Sequence, residues 1–333
     1  TRCSCDWSSD GCSSDLSPSS FGSPIGKLWL DDISLKETEL PPTINITNDE
    51  GYNDEVAAVG CSDGTFYVTW NSYRTEPGAM AGHDTLCVAR FKADGEKVEE
   101  LGRWEIVGSP DVSVLYPAIH YVPYFKAVIV YSAEVDGQWD LWAVVCTPDG
   151  PGKPTRLTNT PEVDIKAVIS SCHMRQSKQI RICWETNPNG VRRIMYGEVI
   201  LPTDEDQKFQ LLENAVKLIS PEGYNSYSPT LTENIQFDTL PDNPTEIQAY
   251  LNSRIAYHSF RNNNCDIYLR RQKCDTDQGP VEWRKEMRVT SAPTMDRNAL
   301  LFKEPHAPFS TPFSGLLYEN ANSHLYKIGA TTN

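Results

Sequence analysis

Residues Ile180–Gly190 read IRICWETNPNG, and Arg193–Val199 read RIMYGEV directly afterwards. β-Branched and aromatic residues interrupted by Asn, Pro and Gly predict two strands joined by a turn. The same pattern, a strand that ends in an aromatic residue and a small polar cluster before a second strand, recurs along the chain. The other four hairpins are Phe66–Arg74 with Asp84–Phe91, Ala127–Gly137 with Asp140–Cys146, Arg254–Asn263 with Asp266–Lys273, and Gly315–Ser323 with His324–Gly329.

A junction precedes each hairpin, where one strand ends, a turn follows and a new strand begins. The junctions share an apolar residue followed by a small one, at Thr47, Gly108, Thr158, Ser220 and Thr290. Their spacing of roughly sixty residues fits four strands with their turns. The best helical candidate, Phe209–Leu218, is short and stands where a fourth strand is expected. The pattern predicts an all-β fold, a β-propeller of four-stranded antiparallel blades.

Five blades is the preferred number. Gly26–Thr47 resembles the outer half of a blade, and Asn298–Gly329 supplies three strands without a fourth. We expect the N-terminal strand to complete the C-terminal sheet. Six blades, or a truncated larger ring, is the alternative. The Pro- and Asn-rich insertion Asp238–Gln248 is interpreted as a surface loop.

The start of the chain does not follow the repeat. Thr1–Leu16 has few apolar residues and no period, and Asp6–Leu16 resembles a translated sequencing adapter that differs at Gly11. We interpret residues 1–16 as a disordered, non-native scar and residues 17–333 as a single propeller domain. On this interpretation the native N-terminus, with any signal peptide, lies upstream.

Composition limits the classes of partner. The 333 residues carry a formal net charge of −15, which disfavours a basic nucleic-acid surface. No apolar run approaches the roughly 18–20 residues that cross a bilayer, so we expect no membrane insertion. We expect a glycan or protein ligand, an extracytoplasmic location, and a monomer or part of a larger chain.

No cofactor is expected. The histidines show no zinc-binding spacing, and no cysteine pair outside residues 1–16 forms a CxxC motif. Cys87, Cys146 and Cys183 fall inside strands, where we expect buried free thiols. Cys274–Gly279 (CDTDQG) has two aspartates at calcium-loop spacing. It lacks the further ligands of a full loop, so an ordinary turn is favoured over a structural calcium site.

Several segments resemble TolB-like and related bacterial propeller repeats. They are VTWNSYR (68–74), VYSAEVDGQWDLW (130–142) and IAYHSFRNNNCDIYLRR (255–271). The resemblance covers most of residues 47–327, although the regular S-P-D-G turn of those repeats is absent. It implies a propeller and leaves function open, because propellers host enzymes and binding modules alike.

Aligning the repeats predicts where a ligand would bind. Residues after the strand-ending aromatic, and residues that begin each first strand, should surround one mouth of the central channel. The candidate ligand-binding residues are Asn53, Asn71, Asp164, Glu185, Ser226, His258, Asp296 and Glu319, with Tyr73, Trp139 and Phe260 as aromatic neighbours. The aromatics that precede them are expected to pack between blades.

Three interpretations of this polar set stay open. The side chains are solvated turn residues without a ligand, or they form a pocket for a sugar, peptide or cation. In the third, two of the carboxylates Asp164, Glu185, Asp296 and Glu319 hydrolyse a glycoside, one as general acid and the other as base or nucleophile. We prefer non-catalytic recognition of a polysaccharide or protein partner, with a glycosidase-like enzyme as the alternative. The chain as the propeller portion of a larger enzyme is a further alternative.

Overall fold

The computed structural model of the chain describes residues 44–47, 51–75, 82–94, 97–122, 126–170, 179–202, 208–240, 243–273, 282–291, 293–303, 314–320 and 325–330. Contacts divide the chain into two units, Thr1–Asn45 and Ile46–Asn333. The first unit contributes only Ile44 and Asn45 to the described residues. All strands described below belong to the second unit.

The second unit is an all-β propeller of five antiparallel sheets. The first sheet contains β1 (Tyr52–Gly60), β2 (Thr65–Arg74), β3 (His83–Asp94) and β4 (Lys97–Val107). The second contains β5 (Ser113–Val122), β6 (Lys126–Val135) and β7 (Gln138–Thr147), with β8 (Gly150–Pro151) and β9 (Thr155–Arg156) both paired to β7. The third contains β10 (Asp164–Ser170), β11 (Gln179–Thr186) and β12 (Arg193–Ile200), with β13 (Gln210–Leu211) and β14 (Lys217–Leu218) paired to β12.

The fourth and fifth sheets complete the described repeats. The fourth contains β15 (Ser226–Leu240), β16 (Asn243–Arg261) and β17 (Asn264–Lys273), with β18 (Glu282–Trp283) and β19 (Met287–Arg288) paired to β17. The fifth contains β20 (Asp296–Lys303), β21 (Ser314–Asn320) and β22 (Leu325–Ala330). Two short 3₁₀ turns, Pro188–Gly190 and Glu213–Ala215, interrupt the third sheet. The all-β propeller predicted from the repeats is confirmed, and so are its five blades.

The structure confirms the prediction for one segment of the strand pattern, Phe209–Leu218, and contradicts it for another, Asp238–Gln248. The segment around Phe209–Leu218 does occupy the fourth-strand position, split by a 3₁₀ turn. The surface loop expected at Asp238–Gln248 is wrong, because β15 and β16 continue as a paired hairpin up to Leu240 and Asn243. The alternating sequence NIQFDTL (234–240) has the period-2 pattern of a strand, and it outweighs the nearby Pro and Asn residues. The N-terminal strand expected to complete the fifth sheet lies, apart from residues 44–47, outside the described residues.

The core consists of layers between neighbouring sheets. Tyr131 packs with residues of the first and second sheets, Trp184 with those of the second and third, and Tyr257 with those of the third and fourth. Trp70 packs on the other face of the first sheet, in a cluster that also contacts Ile46. Burial of a large apolar side chain stabilises a fold by about 1.5–3 kcal/mol. The expectation that these aromatics pack between blades is confirmed for Tyr131, Trp184 and Tyr257.

The first strand of every sheet carries a β-bulge at the same position. The pairing shifts register between Asp54 and Ala57, Leu115 and Ala118, Ile165 and Val168, Tyr227 and Thr230, and Arg297 and Leu300. Each bulge contains a non-glycine residue with positive φ: Glu55 (49°), Tyr116 (54°), Lys166 (56°), Ser228 (48°) and Asn298 (52°). A bulge redirects side chains locally, and its backbone strain needs compensating contacts.

A second repeated feature is a hydrogen-bonded contact between the third and fourth strands of the second and fourth sheets. In the second sheet, Asp140 accepts hydrogen bonds from Arg156 and from the Thr158 hydroxyl, and the Thr158 Oγ1 accepts one from Leu141 N at 2.9 Å. In the fourth sheet, Arg288 donates to Asp266 at 2.7 Å, while Ile267 N donates to the Thr290 Oγ1 at 3.0 Å. The D-L-W and D-I-Y segments therefore join the third strand of a blade to its fourth.

Candidate functional site

The beginnings of the first strands and the ends of the second strands lie on one face of the propeller. Antiparallel pairing places Asn53 opposite Ser72, Asp164 opposite Thr186, and Ser226 opposite Ser259. First strands of adjacent sheets also contact one another, as β1 and β5 do, so they lie nearest the axis. We call this the crossover face, because the chain passes here from second to third strands and from one sheet to the next. The predicted site residues lie on it.

Four of the predicted residues bond within their own part of the sheet. The Asp164 carboxylate accepts hydrogen bonds from Trp184 Nε1 at 3.0 Å and Thr160 Oγ1 at 2.9 Å. Asp296 accepts one from Asn320 Nδ2 at 2.6 Å. Similar local bonds join Asn53 Nδ2 to Gly51 O and Ser226 Oγ to Ser259 Oγ, both at 3.0 Å. Asp164 and Asp296 are 2% and 1% exposed. Burial raises the pKa of Asp164, against the hydrogen bonds that lower it.

The other four predicted residues contact the bulges instead. Glu185 Oε1 accepts a hydrogen bond from the main-chain N–H of Ser228 at 2.7 Å, and His258 Nδ1 accepts one from that of Asn298 at 3.4 Å. Both links cross from one sheet to the next. Asn71 also crosses, by donating to Val114 O at 3.0 Å. Glu319 accepts a hydrogen bond from the Asn298 side chain of its own sheet at 2.9 Å.

Glu55 belongs to the same arrangement. Its carboxylate accepts hydrogen bonds from Asn71 Nδ2 at 2.8 Å and from Tyr116 N at 2.5 Å. Burial raises the pKa of Glu55, while the hydrogen bond from Tyr116 lowers it. Burial also raises the pKa of the Tyr116 phenol, with added contributions from the charges of Glu55 and Glu185. Carboxylates of the first and third sheets therefore both act on one phenol of the second sheet.

Glu185 is the charged centre of the third sheet. Its side chain is 2% exposed, and its two oxygens lie 2.9 Å from Arg192 Nη1 and 3.8 Å from Lys166 Nζ. Lys166 also donates to Ser228 Oγ at 2.9 Å. Val163, Ile165, Glu185, Thr186, Asn187 and Arg192 line a small open pocket here, with about 190 Å³ of empty space. One buried anion therefore faces two half-exposed cations beside this pocket.

His258 lies between aromatic and cationic neighbours. Its ring stacks on the Tyr227 ring with 5.4 Å between centroids. The Arg192 guanidinium lies 5.5 Å from the centroid of the same Tyr227 ring. Burial, with added contributions from the charges of Lys166 and Arg297, lowers the pKa of His258 to about 4. His258 is therefore neutral near pH 7, and its Nδ1 can accept the hydrogen bond from Asn298.

Exposed aromatic side chains are concentrated on the crossover face. Among the described residues, the strongly exposed aromatics are Tyr52 (72%), Tyr73 (46%), Tyr224 (41%) and Phe260 (48%). Tyr52 pairs with Tyr73 where β1 begins and β2 ends, while Tyr224 precedes β15 and Phe260 lies near the end of β16. The other strongly exposed large apolar side chains in the described part of the chain are aliphatic.

The Arg261 guanidinium packs against the Tyr224 ring and is held in one orientation. Arg261 lies 5.2 Å from the Tyr224 ring and 3.6 Å from the Tyr268 ring. Glu286 holds the Arg261 guanidinium through both nitrogens, at 2.5 and 2.8 Å. Such fork-shaped contacts fix orientation as well as charge. This fixed aromatic surface is available to a ligand.

Sequence reasoning missed the bulge residues and Arg192. Each bulge residue follows by two positions the residue that the aligned repeats place at the start of its first strand. Tyr116, Lys166 and Ser228 therefore occupy equivalent positions in the aligned repeats. None of these positions is a glycine, so the sequence gives no signal of the positive φ that the bulge requires. The ligand-binding roles of the eight predicted residues stay predictions.

The described ranges contain neither a metal-binding cluster nor a membrane-spanning helix. There, no group of three or more His, Cys, Asp or Glu side chains is placed to hold a metal ion. The calcium-like segment Cys274–Gly279 lies outside those ranges. No helix in the described part of the chain is long and apolar enough to span a bilayer.

No protein-family model matches the chain, and no curated protein matches it. Similar solved structures include a protein of unknown function from Dyadobacter fermentans, with 8% identity, a TM-score of 0.49, and coverage of 81% of this chain and 76% of that chain. An α-L-arabinanase of Penicillium chrysogenum, complexed with arabinobiose, has 12% identity, a TM-score of 0.47, and coverage of 84% and 80%. For an endo-arabinase of Bacteroides thetaiotaomicron the values are 12%, 0.42, 84% and 93%. At these values the likenesses carry no conclusion about ligand or activity.

Proposed function

We propose that the protein is a glycan-binding propeller whose crossover face recognises a polysaccharide without cleaving it. The observation that carries this proposal is the placement of Tyr52, Tyr73, Tyr224 and Phe260 on one face. Sugar rings have apolar C–H faces and polar edges. Exposed aromatic rings beside fixed polar groups match both, as in ligand sites generally.

The polar groups between these rings are suited to binding. Lys166 and Arg192 are 40% and 42% exposed in their side chains, and Asn298 and Arg297 are exposed as well. The main chain of Lys166 and Asn298 is fixed by bulge hydrogen bonds that cross between sheets, and that of Arg192 donates to Asn225 Oδ1. A fixed site loses less conformational entropy when a ligand binds. The crossover face is thus a preorganised surface of donors and aromatic rings.

The state of the carboxylates favours binding over hydrolysis. Asp164 and Asp296 are buried by hydrogen bonds inside their own sheets, and Glu319 is paired with Arg297 at 3.1 Å. Glycoside hydrolysis needs two carboxyl groups about 5–10 Å apart that both reach the scissile bond. Buried Asp164 and Asp296 do not offer their oxygens in this way.

A glycosidase-like enzyme is the second candidate, and one observation favours it. Glu55 has a raised pKa, whereas the charge of Glu185 is compensated by Lys166 and Arg192. Both carboxylates act on Tyr116. A carboxyl group with a raised pKa that shares a neighbour with a second carboxyl group is the arrangement of a general acid and its partner. In this candidate, Glu55 is the acid and Glu185 the base or nucleophile.

A glycan array followed by calorimetry tests the binding proposal. Tyr224→Ala and Phe260→Ala should each weaken binding of the best glycan about 10-fold, the effect of losing roughly 1.4 kcal/mol of contact. Leu101→Ala is the matched control, because Leu101 is 43% exposed on the outer strand of the first sheet. Absence of binding to any glycan, or equal losses in all three variants, contradicts the proposal.

Measuring whether a bound glycan is cleaved distinguishes the binding protein from the glycosidase. The wild-type protein incubated with each bound glycan should release no new reducing ends. Release of reducing ends that is abolished by Glu55→Gln, with binding retained, would replace the binding proposal by the glycosidase.

A further inference from the structure

The third sheet presents two cations, Lys166 and Arg192, at the crossover face. Glu185 is buried, and both cations lie beside its two oxygens. The charge of Glu55 also acts on Lys166, but the Glu55 carboxylate is held by hydrogen bonds from Asn71 and from Tyr116 N. The two cations are thus the half-exposed charges of this site, and both carboxylates are engaged in contacts of the fold.

Both cations retain hydrogen-bond donors. Among the described residues, Lys166 Nζ donates to Ser228 Oγ and Arg192 Nη1 donates to Glu185, at 2.9 Å each. An ammonium has three donors and a guanidinium has five. The free donors lie on half-exposed side chains, next to the pocket lined by Ile165, Glu185 and Arg192.

Aromatic rings hold the two cations in position. The Lys166 ammonium lies 5.7 Å from the centroid of the Tyr116 ring, and the Arg192 guanidinium lies 5.5 Å from that of Tyr227. Arg192 is also fixed through its main chain, since its N–H donates to Asn225 Oδ1 at 2.9 Å. Cation–π contacts restrict a long side chain at little cost in exposure. The two donors are thus preorganised for one ligand.

We propose that Lys166 and Arg192 bind the carboxylate of an acidic sugar residue, so that the glycan recognised by the crossover face contains uronic acid. This inference rests on the proposed glycan binding and names its chemical class. A carboxylate offers two oxygens, one for the ammonium and one for the planar guanidinium. The neighbouring apolar side chains Val163 and Ile165 contact the ring of the same sugar.

Matched pairs of oligosaccharides test the inference. Oligogalacturonate, oligoglucuronate and oligomannuronate are each compared by calorimetry with the same oligosaccharide after reduction of its carboxyl groups to primary alcohols. The wild-type protein should bind at least one acidic member about 10-fold or more tightly than its reduced partner, as expected for a hydrogen bond to a charged group. Raising salt from about 50 to about 500 mM should weaken only the acidic member.

Substitutions assign the preference to the two cations. Lys166→Gln and Arg192→Gln should each weaken binding of the acidic oligosaccharide about 10-fold more than binding of its reduced partner, and so remove most of the preference. Arg192→Lys should restore part of it, because the charge is kept. Lys97→Gln is the control, since Lys97 is exposed at the start of β4, after the turn on the opposite face. Thermal unfolding of each variant confirms that it is folded.

The possible failures are distinguishable. Binding of glycans with no preference for the acidic members, or a preference that both Gln variants retain, overturns the inference and leaves the proposed function standing. No binding of any glycan overturns both. If a poly-glutamate peptide binds through Lys166 and Arg192 and no uronate binds, the carboxylate that these residues recognise belongs to a protein. That result overturns the inference that the ligand is an acidic sugar.

Discussion

Glu185 in the third sheet accepts a hydrogen bond from the main-chain N–H of Ser228, 2.7 Å away in the fourth sheet. Ser228 has a φ of 48°, a conformation that costs a non-glycine residue about 1–3 kcal/mol. Ser132 makes the corresponding bond to Lys166 N at 3.0 Å, and His258 the one to Asn298 N. At Ser132, Glu185 and His258 the polar residue after the strand-ending aromatic therefore joins two blades and stabilises a strained bulge.

Removing the Glu185 carboxylate should destabilise the propeller. Glu185→Ala leaves the Ser228 N–H without this acceptor and Arg192 without its partner, so we expect a loss of about 2–3 kcal/mol in the free energy of unfolding. Glu185→Gln keeps an oxygen for Ser228 and should lose about half as much. Urea unfolding followed by tryptophan fluorescence measures both. A loss below about 0.5 kcal/mol in Glu185→Ala would refute the bridging role.

The aspartate that joins third and fourth strands should matter more than the residue at its equivalent position in the third sheet. Asp266 is 1% exposed and accepts from Arg288 and Thr290, so Asp266→Ala should cost about 2 kcal/mol. Arg193 occupies the equivalent position in the third sheet and pairs at 3.6 Å with a strongly exposed Glu222. Arg193→Ala should change stability by at most about 1 kcal/mol. Equal losses in the two variants would show that the Asp–Arg–Thr contact has no special weight.

The strand pattern was predictable because each hairpin carries its own local signal. Asp136-Gly137 is an example: both residues have positive φ, 53° and 78°, in a two-residue turn between β6 and β7. The inter-blade role of Tyr131 and Trp184 followed from their repeated position. The bulge at Tyr116 was not predictable, because no residue there prefers positive φ and the conformation depends on a contact with Glu55 from another sheet. The side-chain partners of Glu185 depend in the same way on three-dimensional packing.

His258 should contribute less stability in mildly acidic solution, because it is neutral in the fold. Its pKa is lowered to about 4, against about 6.5 in the unfolded chain, so the unfolded state binds more protons between these values. The contribution of His258 to the free energy of unfolding therefore falls as pH decreases through this window, by about 2 kcal/mol between pH 7.5 and pH 5. The raised pKa values of Glu55 and Asp164 act in the opposite direction.

His258→Gln isolates this contribution. The variant should lose less stability than the wild type over the same pH range, by about the same 2 kcal/mol, because its side chain does not titrate. Guanidinium unfolding at the two pH values gives the difference. Parallel pH dependences of wild type and variant would contradict the assignment to His258.

Buried thiols should be protected in the native protein. Cys146 and Cys183 are 0% exposed. Burial raises the pKa of Cys146 to about 12, and it also raises the pKa of Cys183 well above that of a free thiol. The thiolate is the reactive form, so neither should react with iodoacetamide at pH 8. Peptide mass spectrometry before and after unfolding in urea measures this. Rapid labelling of Cys183 in the folded protein would contradict the packing between the third and fourth sheets.

Hydrogen–deuterium exchange with the best glycan from the array tests the central claim most directly. We predict that the bound glycan slows exchange in segments 164–167, 190–193 and 224–230 on the crossover face, and leaves the turns at 61–64 and 147–150 on the opposite face unchanged. Protection confined to the opposite face, or no segment protected at saturating glycan, would contradict a crossover face that recognises polysaccharide.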